Sequence, residues 1–319
     1  MSLNPGTKVE TVQCDNDKIE FKFHRVPMSI VNGLRRIMIE EVATLSIDTV
    51  MFVDYPHDHP FIDQTIAIRM GLIPVQASLH ALEKICWAEE CLQNEDEPCM
   101  GCTKCGILFE INVNYSTATV KKQYPSRFCV HSGSIVVDPQ FEQHVKIPID
   151  NISICEFNEH QQFKATGWIR KGNGKLHSKW GCASICMVER KPEDGSIHLI
   201  AEPIGHIKPQ DMLPHALRCF FQKMENFPLR VRRQVGATKH NCVYIIEQED
   251  HTLGQVLRDA LLNLKDVSFE GYCIPHPLDN LIELRVQLFS TSQKSCDDIL
   301  NEAVFNTVEI LNSIAINLN

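Results

Sequence analysis

Five of the fourteen cysteines crowd between Cys86 and Cys105: Cys86, Cys91, Cys99, Cys102 and Cys105. The run Cys99-x2-Cys102-x2-Cys105 brings three soft thiolate donors onto tight turns. A fourth from Cys86 or Cys91 would complete a tetrahedral Zn2+ shell, so four of these five are expected to bind one metal ion. Four thiolates leave no open position, and the zinc would be structural. In an insertion too small to build its own core, such an ion would supply folding free energy. An iron–sulfur cluster is the less favoured ligand, because Phe109 stands where a ferredoxin run places its fourth cysteine.

No other chemistry stands out. Pro98-Cys99-Met100-Gly101-Cys102 matches half of a zinc deaminase signature, but no H-x-E lies upstream of it: His57, His59 and His80 are followed two places on by His59, Phe61 and Leu82. Phosphate loops, H-E-x-x-H and G-x-S-x-G strings are absent from the sequence. Lys171-Gly172-Asn173-Gly174-Lys175 reads as a hairpin turn. His57-Asp58-His59 has metal-binding residue types but reads as a polar loop. No catalytic constellation emerges.

The 319 residues allow two or three domains, and 44% hydrophobic with 22% charged residues is a globular composition. No run approaches eighteen apolar residues and the polar start lacks a signal-peptide core, so a soluble, unsecreted chain without a membrane partner is expected. The net charge of −9 is uneven. From Asn241 onward there are four Lys/Arg against twelve Asp/Glu, a net of −8, which leaves −1 for the rest. That balance argues against broad phosphate contact. Local basic clusters remain at Lys171–Lys179 and at Arg230, Arg232 and Arg233. They support a second reading, a free-standing zinc-containing nucleic-acid-binding transcription regulator.

Lys18–Phe23 alternates as a half-buried strand. Ile30, Val31, Leu34, Ile37, Met38 and Val42 then recur at helical spacing, with Ser29 as a candidate cap. Val243–Ile246 and the helix through Leu253, Val256, Leu257 and Leu261 repeat this pattern at an offset of 223 residues. Phe21 then aligns with Tyr244, Phe23 with Ile246, Ile30 with Leu253 and Met38 with Leu261. Each copy gains a later apolar-striped helix, one through Leu213, Leu217, Phe220 and Met224, the other through Ile299, Ala303, Leu311 and Ile314. Pro214 fits if the former begins near Asp211. The expected fold is α+β. Two modules of antiparallel sheet plus amphipathic helices pair within one chain as a pseudo-dimer, and a β-rich insert interrupts the first. The boundaries read as 1–53 plus 201–229 for the first module, 54–200 for the insert, 230–241 for a linker and 242–319 for the second module.

The strings VNGLRRIMIEEVATLSIDTV and IAIRMGLIPV resemble the alpha-like subunits of multisubunit DNA-dependent RNA polymerases, nearest the third-largest subunit of eukaryotic polymerase II and archaeal D. ATGWIRKGNGKLHSKWG resembles the same subunits, and EQEDHTLGQVLRDALL with VSFEGYCIPHPLDNLIELRVQ resembles the eleventh subunit and archaeal L. The resemblance implies a non-catalytic assembly subunit that binds the largest and second-largest polymerase subunits and small polymerase subunits, meets DNA only through the complex, and is monomeric within it. It implies partner-binding roles for Arg35, Arg36, His177, Lys179, Trp180, His251, Thr252 and Gly254, and a zinc loop. That loop fits Cys102 and Cys105 well, Cys99 one residue too close, and leaves Cys86 and Cys91 both open. Apart from the partner role, Thr252 reads as a helix cap and Gly254 as a close-packing position. Fusion of both subunits suggests a large nucleocytoplasmic DNA virus, acting in host cytoplasm or virion; a cellular source would place it in the nucleus.

Overall fold

The computed structural model describes residues 7–55, 62–94, 97–99, 101–114, 127–158, 161–234, 236 and 238–318. His57-Asp58-His59 lies outside the described residues. The helices are α1 (Met28–Glu40), α2 (Ile62–Gly71), α3 (Leu79–Lys84), α4 (Met212–Arg230), α5 (His251–Leu262) and α6 (Cys296–Ile316). No helix among the described residues is long and apolar enough to cross a membrane. The chain divides into two compact units: Met1–Ile39, Ile185–Glu202 and Gln210–Asn319 form one, and Glu40–Ser184 with Pro203–Pro209 the other.

The first unit contains both repeats. One sheet has the order Lys8–Cys14, Ile19–His24, Ile197–Pro203, Ala183–Arg190; the other has Val231–Arg233, Asn241–Glu247, Leu281–Leu288, Val267–Cys273. Strict alternation drives the leading strands: Ile19, Phe21 and Phe23 are buried, as are Cys242, Tyr244 and Ile246, while their neighbours stay half exposed. The helices that follow bury the expected stripe, with Ile30, Leu34 and Met38 matched by Leu253, Leu257 and Leu261. The correspondence reaches the backbone. Arg25 (φ 56°) and Gln248 (φ 58°) are the two non-glycine residues with positive φ among the described residues, and they too stand 223 apart. Both turn the chain from strand to helix, and neither residue type announces such a turn.

Several local readings change. Residues 183–190 and 197–200, read as part of the insert, complete the first sheet together with 201–203, because strand pairing is non-local. Arg230–Asn241 is not a free linker: α4 runs through Pro228 to Arg230, and Val231–Arg233 pairs with Tyr244–Ile246 as an edge strand. Pro228 has no N–H to give the Met224 carbonyl, and α4 ends two residues after it. Pro214 sits in the first turn of α4, where its missing N–H has no partner to lose.

The second unit has a core of its own. Its main sheet orders Thr44–Asp54, Gln162–Gly172, Gly106–Asn114 and Ile135–Val137. Leu45, Ile47, Ile107, Phe109, Ile111, Phe163 and Ile169 pack there with Ile66 and Met70 of α2. This overturns the expectation of an insertion too small to bury a core. The segment Lys171–Lys175 is also not a hairpin, because the strand before it pairs with Thr44–Asp54 and Gly106–Asn114, whereas the next long strand belongs to another sheet.

His206 is 2% exposed in this unit, and Val75 N–H donates to its Nδ1 at 3.3 Å. Burial holds its pKa below the ordinary value near 6.5, and burial does the same to His215 of α4. Both therefore stay neutral in the fold to lower pH than in the unfolded chain, which takes up protons below about pH 6.5. Their contribution is full above that pH and declines as pH falls toward the folded values. The urea midpoint is expected to be lower at pH 5.5 than at pH 7.5. His206→Gln, whose amide can still accept from Val75, should show less of that fall; an unchanged fall would assign it to other groups.

Candidate functional site

Cys91, Cys99, Cys102 and Cys105 converge, with their sulfur atoms all within 4.8 Å of one another. Cys91 Sγ lies 3.5 Å from Cys102 Sγ, Cys102 Sγ 3.7 Å from Cys105 Sγ, and Cys105 Sγ 3.6 Å from Cys99 Sγ. Four sulfurs about 2.3 Å from one central ion stand about 3.8 Å apart in a tetrahedron, so the group fits a single metal ion. Cys86 packs against these four, but its sulfur is not one of the converging set. Its N–H bonds Lys104 C=O at 3.1 Å, fixing the edge of the loop.

The loop is built for thiolate. Burial raises the Cys102 pKa, but backbone N–H groups of Cys105 and Lys104 outweigh it and bring the thiol down to about 6. The Lys104 N–H lies 3.4 Å from Cys102 Sγ. Burial raises Cys105, and the neighbouring thiol of Cys102 raises Cys91. One early thiolate among reluctant thiols is the state from which a cation can draw off the remaining protons. The strand Gln162–Gly172 holds the loop down. Arg170 donates to Cys99 C=O at 2.9 Å, and Gly101 (φ 141°) lies so close to the Trp168 ring that a Cβ would come within 2.2 Å of it. Neither Trp168 nor Arg170 was legible as a support from spacing alone.

The second feature is the junction between the repeats in the first unit. A Cβ on Gly33 would stand 3.1 Å from the Phe220 ring of α4 and 3.6 Å from Val256 Cγ2 of α5. Val256 is the residue 223 places after Gly33, so equivalent positions of the two copies meet, as residues on a two-fold axis do. Arg36 of α1 crosses to the start of α5, where its Nε donates to Thr252 Oγ1 at 2.8 Å and its guanidinium lies 3.5 Å from Asp250. Lys223 and Arg230 of α4 both reach Glu249, at 2.8 Å each, and that carboxylate is almost wholly buried. In the sequence Glu249 carries no signal of this role.

The remaining family-matched residues are engaged within the chain. Arg35 Nε donates to Asn32 Oδ1 at 2.8 Å. Lys179 pairs with Asp48 at 2.6 Å and lies over the Trp180 ring, whose Nε1 donates to Arg170 C=O. His177 accepts from Lys179 N–H through Nδ1 and stays exposed. His251 is exposed against the edge of Tyr272, and Gly254 admits the Tyr272 ring, which a Cβ would strike at 2.6 Å. The helix cap is Asp250, which accepts from Thr252 N–H at 2.8 Å, so Thr252 is not the cap. Ser29 is no cap either: α1 begins at Met28, and the Ser29 hydroxyl makes no hydrogen bond.

The basic clusters are similarly occupied. Lys171 Nζ donates to Leu82 and Ile85 C=O, Lys175 pairs with Glu41, Arg170 with Asp48, Arg232 with Glu247 and Arg233 with Asp297. Charges already paired this way offer little to phosphate.

Two segments match the RNA polymerase Rpb3/Rpb11 dimerisation domain, residues 20–224 and residues 241–315. The DNA-directed RNA polymerase II subunit rpb3 of Dictyostelium discoideum is 27% identical over 190 residues, 60% of this chain and 60% of that protein. The DNA-directed RNA polymerase subunit Rpo3 of Archaeoglobus fulgidus is 28% identical over 187 residues, 58% of this chain and 62% of that protein. Rpo3 of Methanocaldococcus jannaschii is 25% identical over 209 residues, 65% of this chain and 88% of its own length. The chain thus spans about six tenths of the length of the Dictyostelium and Archaeoglobus relatives.

Proposed function

The chain belongs to the RNA polymerase Rpb3/Rpb11 dimerisation-domain family, and we propose that it is the non-catalytic assembly platform of a DNA-directed RNA polymerase, with both halves of the dimer on one polypeptide. The observation that carries this reading is the meeting of equivalent residues, Gly33 and Val256, between two copies of the family domain. Joining the halves replaces bimolecular association with a high effective concentration. The platform would hold the largest and second-largest subunits at a fixed spacing, and nucleotidyl transfer would be theirs. The internal pairing of the basic residues favours this over a free-standing nucleic-acid-binding regulator. We further propose a large nucleocytoplasmic DNA virus as the source, with the protein working in host cytoplasm or virion. Affinity capture of the tagged chain from producing cells, followed by mass spectrometry, should recover two very large polymerase subunits. Tight, salt-sensitive DNA binding by the isolated chain without those subunits would favour the regulator instead.

Zn2+ is the metal we assign to Cys91, Cys99, Cys102 and Cys105. A closed four-thiolate shell supplies structural stability and no reactive position. Elemental analysis should return about one zinc per chain on this coordination; iron, or no metal, would overturn the assignment. Because the unit has its own core, chelation should act locally. Amide exchange should rise across Cys86–Gly106 while Phe109 and Phe163 stay protected, and loss of protection at both would mean that the metal holds the whole unit together.

A further inference from the structure

The internal two-fold is broken where Arg36 crosses between the copies. On one side of the Gly33–Val256 contact, Arg36 bridges to Thr252 and Asp250 at the start of α5. Shifted by 223, Arg36 becomes Asp259, and Thr252 and Asp250 become Ser29 and Pro27. Asp259, Ser29 and Pro27 all line one cavity of about 530 Å³, closed by Asn263 at the end of α5 and by Phe305 and Glu309 of α6. A short carboxylate occupies the place that a long guanidinium fills on the other side, so no side chain crosses the gap. The cavity is the vacant counterpart of the Arg36 site.

Its chemistry calls for a cation. Ser29 is 7% exposed, and its buried Oγ makes no hydrogen bond. Such an orphaned group costs free energy until a partner arrives. The Asp259 carboxylate accepts from Gln255 Nε2 at 2.8 Å, and its nearest cation is the exposed Arg258, at a loose 3.9 Å. The Glu309 carboxylate has no ion pair among the described residues, and neither lysine nor arginine lines the cavity. The C-terminal end of α5, capped by Asn263, adds negative potential.

We propose that this cavity receives an arginine side chain from a partner protein, reproducing in trans the contact that Arg36 makes in cis. A guanidinium carries five donors in a planar fork, enough to serve two carboxylates and the Ser29 hydroxyl together. A lysine is a point charge that cannot span them in the same way. The partner being a protein rests on the assembly reading; the preference of the cavity for a guanidinium does not.

The test uses the full chain and three probes, N-acetyl-arginine amide, N-acetyl-lysine amide and N-acetyl-leucine amide, followed by amide chemical shifts. The arginine probe should give saturable shifts at Ser29, Asp259 and Glu309. Asp259→Asn and Ser29→Ala should each weaken it by about tenfold, the loss of one charge-assisted hydrogen bond. Asp259→Arg should fill the cavity from within and abolish the response. Absence of saturation, equal response to lysine or leucine, or binding unchanged in Asp259→Asn overturns the proposal. A concentration-dependent dimer lost in Asp259→Asn would assign the arginine to a second copy and overturn the choice of partner. Failure of the titration leaves the capture of large subunits untouched, and failure of that capture leaves the titration standing, so the two readings fall separately.

Discussion

Glu249→Ala is expected to destabilise the chain by about 3–5 kcal/mol, the usual cost of breaking a buried ion pair from one side. The carboxylate is 1% exposed by its side chain, and Lys223, at 9%, cannot reach water when the partner is removed. Arg230 is 28% exposed and can turn outward. The penalty is therefore that of a buried ammonium losing its carboxylate at the point where α4 of the first copy meets the strand-to-helix turn of the second. At about 2–4 °C per kcal/mol for a large domain, the thermal midpoint should fall by roughly 10 °C. Lys223→Met combined with Glu249→Leu removes both charges and should lose less than Glu249→Ala alone. A double variant as unstable as the single one would mean that shape, not the loss of the charge pair, sets the cost.

The second large effect concerns the shared core. Leu34 and Leu257 are equivalent positions, each fully buried on the facing helices α1 and α5. Leu34→Ala and Leu257→Ala should each cost about 2–5 kcal/mol through lost burial and an unfilled cavity. Because the copies are proposed to share one core, the damage should cross between them. Amide exchange in α5 should rise in Leu34→Ala, and exchange in α1 should rise in Leu257→Ala. Exchange confined to the mutated copy would show two independent modules rather than one pseudo-dimer.

The repeat is legible in the sequence because periodicity is a local property. Phe21, Phe23, Ile30, Leu34 and Met38 and their partners 223 residues on needed only alternation and helical spacing to be seen, and all are buried. The density of cysteines likewise announced a loop whose thiols converge in the geometry of a metal site. Which four converge was not legible, since Cys86 and Cys91 stand at similar distances along the chain and only the fold of the loop separates them. The strands that complete the first sheet were missed for a related reason: Ile197–Ala201 pair with Ile19–Phe23 across a long stretch of chain, and Ala183–Arg190 joins the sheet beside them. Cap residues were misplaced by one or two positions, because Ser29 and Thr252 have capping side chains but lie inside the first turn. Glu249 and Arg36 look like solvated charges in the sequence, and only the junction between the copies makes their partners visible.

The central claim is that one polypeptide contains both partners of a polymerase dimerisation pair. It is tested most directly by cutting the chain after Gly236, between the paired strands Val231–Arg233 and Asn241–Glu247. Co-expressed fragments 1–236 and 237–319 should purify as a one-to-one complex, and Glu249→Ala in the shorter fragment should weaken it. Two fragments that fold alone as stable monomers and do not associate would contradict the claim.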